Sequence, residues 1–131
     1  MLYLIRHPKT QPDPAVPASL WRLSEEGQMQ VRRLLGAAFW QDVTAIYTSM
    51  ETKTTVVGEA VQTALGIPHH AIPDLGEAKR DSWLDSEDFL AAQTRFFAQP
   101  DQPPVPGWES ARSAQTRFVA ARWWVLAPAG S

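Results

Sequence analysis

The chain has 131 residues, of which 44% are apolar and 20% charged, and its net charge is −2. That is enough for one domain with a real core, and the charge balance argues against a polyanion such as nucleic acid as the main partner. The absence of cysteine excludes disulfides, thiolate catalysis and cysteine-ligated zinc. No run is apolar for long enough to span a membrane, and the short apolar start lacks the basic region of a signal peptide, so the expectation is a soluble cytoplasmic protein.

In chain order, Leu2–Ile5 is wholly apolar and reads as a short buried strand that delivers Arg6 and His7 at its carboxyl end. Pro8, Pro12, Pro14 and Pro17 make the following stretch a loop. Ser24 caps a predicted helix over Glu25–Phe39, with Glu25 and Glu26 favourably placed in its first turn. Asp42–Tyr47 reads as a second strand. Ser49 then caps a helix that runs to Leu65 and stops at Gly66 and Pro68. His69 and His70 lack a third ligand at recognisable spacing and read as exposed loop. Ile72–Asp85 is loop, Ser86 opens a helix to about Phe97, Pro100–Gly107 is a connector, and a last helix starts near Glu109. Trp21, Trp40, Trp83 and Trp108 read as core or pocket-rim aromatics. The alternation is that of an α/β fold, a mostly parallel sheet flanked by helices on both faces, in a single domain over residues 1–131.

Sheets of this kind bind ligands at the carboxyl ends of their strands. Arg6-His7, Thr48-Ser49 and Glu77 fall there. Leu4-Ile5-Arg6-His7-Pro8-Lys9-Thr10 resembles the Arg-His-Gly-Glu-Thr signature of the histidine phosphatase (phosphoglycerate mutase-like) superfamily. Leu23-Ser24-Glu25-Glu26-Gly27-Gln28, Ile46-Tyr47-Thr48-Ser49, Asp74-Leu75-Gly76-Glu77, and Gly107-Trp108-Glu109-Ser110 with Arg117 resemble its later motifs, in order. What carries the resemblance is that all five occur in sequence.

The resemblance implies a phosphoglycerate mutase-like fold and a phosphohistidine chemistry. His7 would attack the phosphoryl group, Arg6 and Lys53 would bind it, and Glu77 would act as acid and then base. Lys9, Thr10, Trp21 and Arg22 would line the pocket rim. The scheme needs neither metal nor cofactor, and its partner is a small phosphorylated substrate or inorganic phosphate. The chain departs from the pattern at Pro8 (usually Gly), Lys9 (usually Glu) and Lys53 (usually Arg), where a point charge replaces a bidentate fork. Its histidines are His7, His69 and His70, so the family's second pocket histidine, which follows a late strand, has no counterpart. Loss of one such donor costs roughly 10²–10³ in rate. Relative to its family the chain looks shortened and short of a late strand. An uncovered sheet edge would favour a homodimer, with Trp123 and Trp124 covering the gap or packing on another subunit.

Without its context, a lysine such as Lys53 is ordinarily a solvated helix residue, and Glu77 sits in a charge cluster that would ordinarily be a solvated loop. Three functions follow: a phosphomonoesterase, preferred over a mutase because the loops are short; a degenerate phosphate-binding protein; or a folded product without activity.

Overall fold

The computed structural model describes residues 1–126, except for the side chain of Trp124. The expectation that Trp124 covers a gap therefore lies outside the described residues. The chain divides into two compact units, Met1–Ala71 and Ile72–Ser131.

In the first unit, β1 (Thr10–Gln11) pairs antiparallel with β2 (Arg22–Leu23). Helix α1 (Glu25–Leu35) follows at once, because the Ser24 side chain accepts from the Gly27 N–H and caps it. α1 is shorter than predicted. It ends at Gly36, and Phe39 falls instead in a 3-10 turn (Ala38–Asp42) that buries Trp40 and lets its indole donate to the Leu34 carbonyl at 2.7 Å. Strand β3 (Ile46–Thr48) starts later than the expected Asp42, which ends that turn and is followed by residues 43–45 without regular structure. Helix α2 (Thr52–Leu65) ends on Gly66 in the left-handed conformation (φ 70°), as its sequence requires. Glu51, not Ser49, occupies the N-cap position. His69–Ala71 is a strand, β4, and not the expected exposed loop. It pairs parallel with β3, Ile46 against His69, and half-buried His69 meets the Thr48 hydroxyl at 2.7 Å. α2 packs on α1, β3 and β4 around a core of Leu23, Val31, Trp40, Val57, Val61 and Ile67.

The expected first strand is not formed. Residues 1–9 belong to no helix or strand, and Leu2, Leu4 and Ile5 are exposed at 55%, 85% and 44%. An apolar run becomes a strand only where a neighbouring ladder and a covering layer exist. Among the described residues the ladders are β1 with β2 and β3 with β4. Tyr3 stacks on Phe39 at 4.9 Å between ring centroids.

In the second unit a 3-10 turn (Pro73–Leu75) precedes helix α3 (Ser86–Ala98) and helix α4 (Ala111–Leu126). Asp85, one residue before the expected Ser86, caps α3 by accepting from the Asp88 N–H at 2.8 Å. Buried Ala92, Trp108 and Ala121 form this unit's interior, and the Trp108 indole donates to the Ser82 hydroxyl at 2.9 Å. Trp83 is half exposed and so does not belong to the core, while Trp123 on α4 is 69% exposed.

Candidate active site

The segment after Ile5 is held by the start of α1. The Lys9 carbonyl accepts from the Ser24 N–H (3.0 Å) and hydroxyl (3.2 Å), and the Lys9 N–H donates to the Gln30 side chain at 2.8 Å. A Cβ on Gly27 would overlap the Lys9 carbonyl and press on Leu23, so only glycine lets helix and loop approach this closely. The Leu-Ser-x-x-Gly pattern thus has a local purpose: Ser24 caps the helix and Gly27 admits the loop that carries His7.

His7 is half-buried beside buried Pro8, and its Nδ1 lies 2.7 Å from the Pro8 carbonyl oxygen. A carbonyl can only accept, so Nδ1 carries the proton. In the neutral ring Nε2 then keeps its lone pair. Arg6 is exposed. Lys9 turns its ammonium to Glu26 at 2.8 Å on the surface. That bond raises the lysine above its ordinary value and lowers the glutamate. Thr10 and Arg22 are taken up in the β1–β2 ribbon, opposite Leu23 and Gln11.

Lys53 departs most from the ordinary expectation for a helical lysine. It is 2% exposed, in the first turn of α2, with Nζ 3.4 Å from the Glu51 carboxylate and 6.0 Å from the centre of the Trp21 ring. The Trp21 indole donates to the Asp13 and Val16 carbonyls, which anchors the proline-rich loop. A buried cation at a helix N-terminus opposes the macrodipole and loses hydration, and the Glu51 carboxylate and the Trp21 ring help to offset that. The structure therefore brings Lys53 and Trp21 together. Glu51 was missed by sequence reasoning, although its position two residues before Lys53 was a signal that could have found it.

Glu77 belongs to the second unit. Its carboxylate is 3.4 Å from the Arg80 guanidinium, which lies over the Phe89 and Trp108 rings at 5.2 and 5.9 Å. Arg80 was also missed, despite the i, i+3 spacing. Among the described residues no group of three or more His, Cys, Asp or Glu is placed to hold a metal ion, and no helix is long and apolar enough to cross a membrane.

The family model described as Histidine phosphatase superfamily (branch 1) matches residues 2–129, and the chain belongs to that family. No curated protein matches the chain closely enough to stand as a relative. Three solved structures are similar to it. A mycobacterial glucosyl-3-phosphoglycerate phosphatase, solved with inorganic phosphate, is 18% identical with a TM-score of 0.70, covering 93% of this chain and 61% of its own. Bacillus stearothermophilus YhfR is 21% identical with a TM-score of 0.67, covering 92% and 64%. Mycobacterial hydrolase 2 is 19% identical with a TM-score of 0.63, covering 93% and 57%. At these identities the likeness is one of fold: an α/β, phosphoglycerate mutase-like architecture. The chain spans less than two thirds of each structure's length.

Proposed function

We propose that the chain is a phosphomonoesterase of the phosphohistidine type acting on a small phosphorylated metabolite. The observation that carries the reading is the 2.7 Å contact from His7 Nδ1 to the Pro8 carbonyl, which leaves Nε2 as the nitrogen with an available lone pair. Nε2 attacks phosphorus, the P–O bond to the leaving group breaks, and the departing alkoxide takes a proton, the role that the resemblance implies for Glu77. Glu77 then takes a proton from water as the water oxygen attacks the phosphohistidine. The P–N bond breaks, its electron pair returns to Nε2, and phosphate leaves. Arg6 and Lys53 balance the charge on the phosphoryl oxygens. Lys53, in the first turn of α2, would bring a positive charge to the ligand's oxyanion. The rim residues Lys9, Thr10, Trp21 and Arg22 complete the proposed site.

A second reading, a phosphate-binding relative without turnover, draws on the Lys53–Glu51 ion pair, which spends part of the lysine's charge within the protein. Hydrolysis of p-nitrophenyl phosphate separates the two. Turnover that His7→Ala abolishes supports the esterase. No turnover by either protein, with a rise in melting temperature on adding phosphate, supports the binder; phosphate at a hundred times its Kd would stabilise it by about 2.7 kcal/mol.

A further inference from the structure

The second unit contains a guanidinium whose five N–H donors are all engaged. Arg117 Nη1 donates to the Asp74 and Gly76 carbonyls at 2.8 and 2.7 Å. Nη2 donates to the Glu77 carbonyl at 3.2 Å and to Glu109 Oε1 at 2.7 Å, and Nε donates to Glu109 Oε2 at 3.2 Å. Glu109 in turn accepts from the Lys79 N–H (3.1 Å) and the Ser113 hydroxyl (3.1 Å), and its own N–H donates to the Lys79 carbonyl (2.9 Å). The two side chains are 13% and 9% exposed. One bidentate ion pair on α4 and its approach thus grips the backbone from Asp74 to Lys79.

The middle of that gripped stretch is Glu77. We infer that Arg117, locked by Glu109, is the positioning residue for the Glu77 carboxylate. Arg117 fixes the backbone that presents the side chain, and Arg80 meets the carboxylate itself. A clamp needed only for stability would have no reason to converge on the carbonyls at and just before one acid. A lysine could not replace it, because an ammonium lacks the planar fork that reaches three carbonyls and a carboxylate together. This rests on the reading of Glu77 as the proton donor.

The test compares a phosphomonoester with a poor leaving group, glycerol phosphate, and one with a good leaving group, p-nitrophenyl phosphate, which needs little protonation. The proteins are wild type, Glu77→Gln, Arg117→Lys and Glu109→Gln, the last keeping the side-chain shape so that folding is preserved. Expected are a fall in kcat of about 10²-fold on glycerol phosphate in all three variants, within the range for general acid catalysis, and a much smaller fall on p-nitrophenyl phosphate. Adding Glu77→Gln to Arg117→Lys should cost little more, since the two changes remove one function. Amide exchange over residues 74–79 should quicken in Arg117→Lys while α3 keeps its protection. Equal losses on both substrates in Arg117→Lys and Glu109→Gln, with a selective loss in Glu77→Gln, would overturn the positioning role alone. No selective loss in Glu77→Gln, or a wild type that hydrolyses neither ester, would remove the acid assignment and this inference with it.

Discussion

A neutral imidazole offers one donor and one acceptor, and at His7 the Pro8 carbonyl decides which nitrogen is which. The apolar run before His7 forms no strand, and the His7 acceptor is a backbone atom of the next residue, which leaves no trace in residue types. Lys53 shows the opposite failure. Its position was read from spacing, but its burial comes from residues elsewhere in the folded chain, among them Trp21, thirty-two positions away, and so was not legible. Lys53→Met removes the ammonium 3.4 Å from Glu51. It should raise KM for phosphomonoesters by at least about 10-fold, equivalent to about 1.4 kcal/mol of lost binding. Steady-state kinetics check this, and an unchanged KM would place Lys53 outside the binding site. Glu109 is held below the ordinary glutamate value of 4.5, first by the Arg117 hydrogen bonds and then by those from Lys79 and Ser113, against the opposing effect of burial. A lowered folded value means that its stabilisation is complete above that ordinary value and disappears as pH falls through the folded one. Glu109→Gln should therefore cost about 1.5–3 kcal/mol at neutral pH, and its melting temperature should converge on wild type in acid. A gap that widened in acid would contradict the shift.

Elements were legible where their signals are local. Ser24 with the carboxylates after it fixed the start of α1, and Gly66 fixed the end of α2. Strands were harder, since pairing is set by partners elsewhere in the chain. Leu2–Ile5 has the composition of a strand and no ladder, whereas His69–Ala71 is short and polar and becomes a strand because β3 lies beside it. Gly27 tests how the α1 start serves the loop. On propensity alone Gly27→Ala should stabilise the helix by about 1 kcal/mol. The overlap with the Lys9 carbonyl should outweigh that, giving a net loss of about 1–3 kcal/mol and lower turnover as the His7 loop shifts. Thermal melting with kinetics decides the sign, and a more stable, fully active variant would contradict the packing.

At the scale of the whole molecule, five short motifs in order were enough to place the chain in the histidine phosphatase superfamily, as the match over residues 2–129 shows. The same reading did not find the Glu109–Arg117 clamp. Its residues were singled out only as a family-like helix start, and which carbonyls a guanidinium reaches is a property of the folded loop. The chemistry proposed for this chain draws on Arg6, His7, Lys53 and Glu77. Removing a single donor to the phosphoryl oxygens should slow turnover by roughly 10²–10³, and a phosphohistidine formed on His7 should be trappable by quenching. The most direct measurement is rapid quenching in alkali during hydrolysis of p-nitrophenyl phosphate, followed by peptide mass spectrometry. Nε2 attack predicts one acid-labile phosphoryl group on the peptide that contains His7, and none in His7→Ala. A phosphoryl group on another residue, or hydrolysis that continues unchanged in His7→Ala, would contradict it.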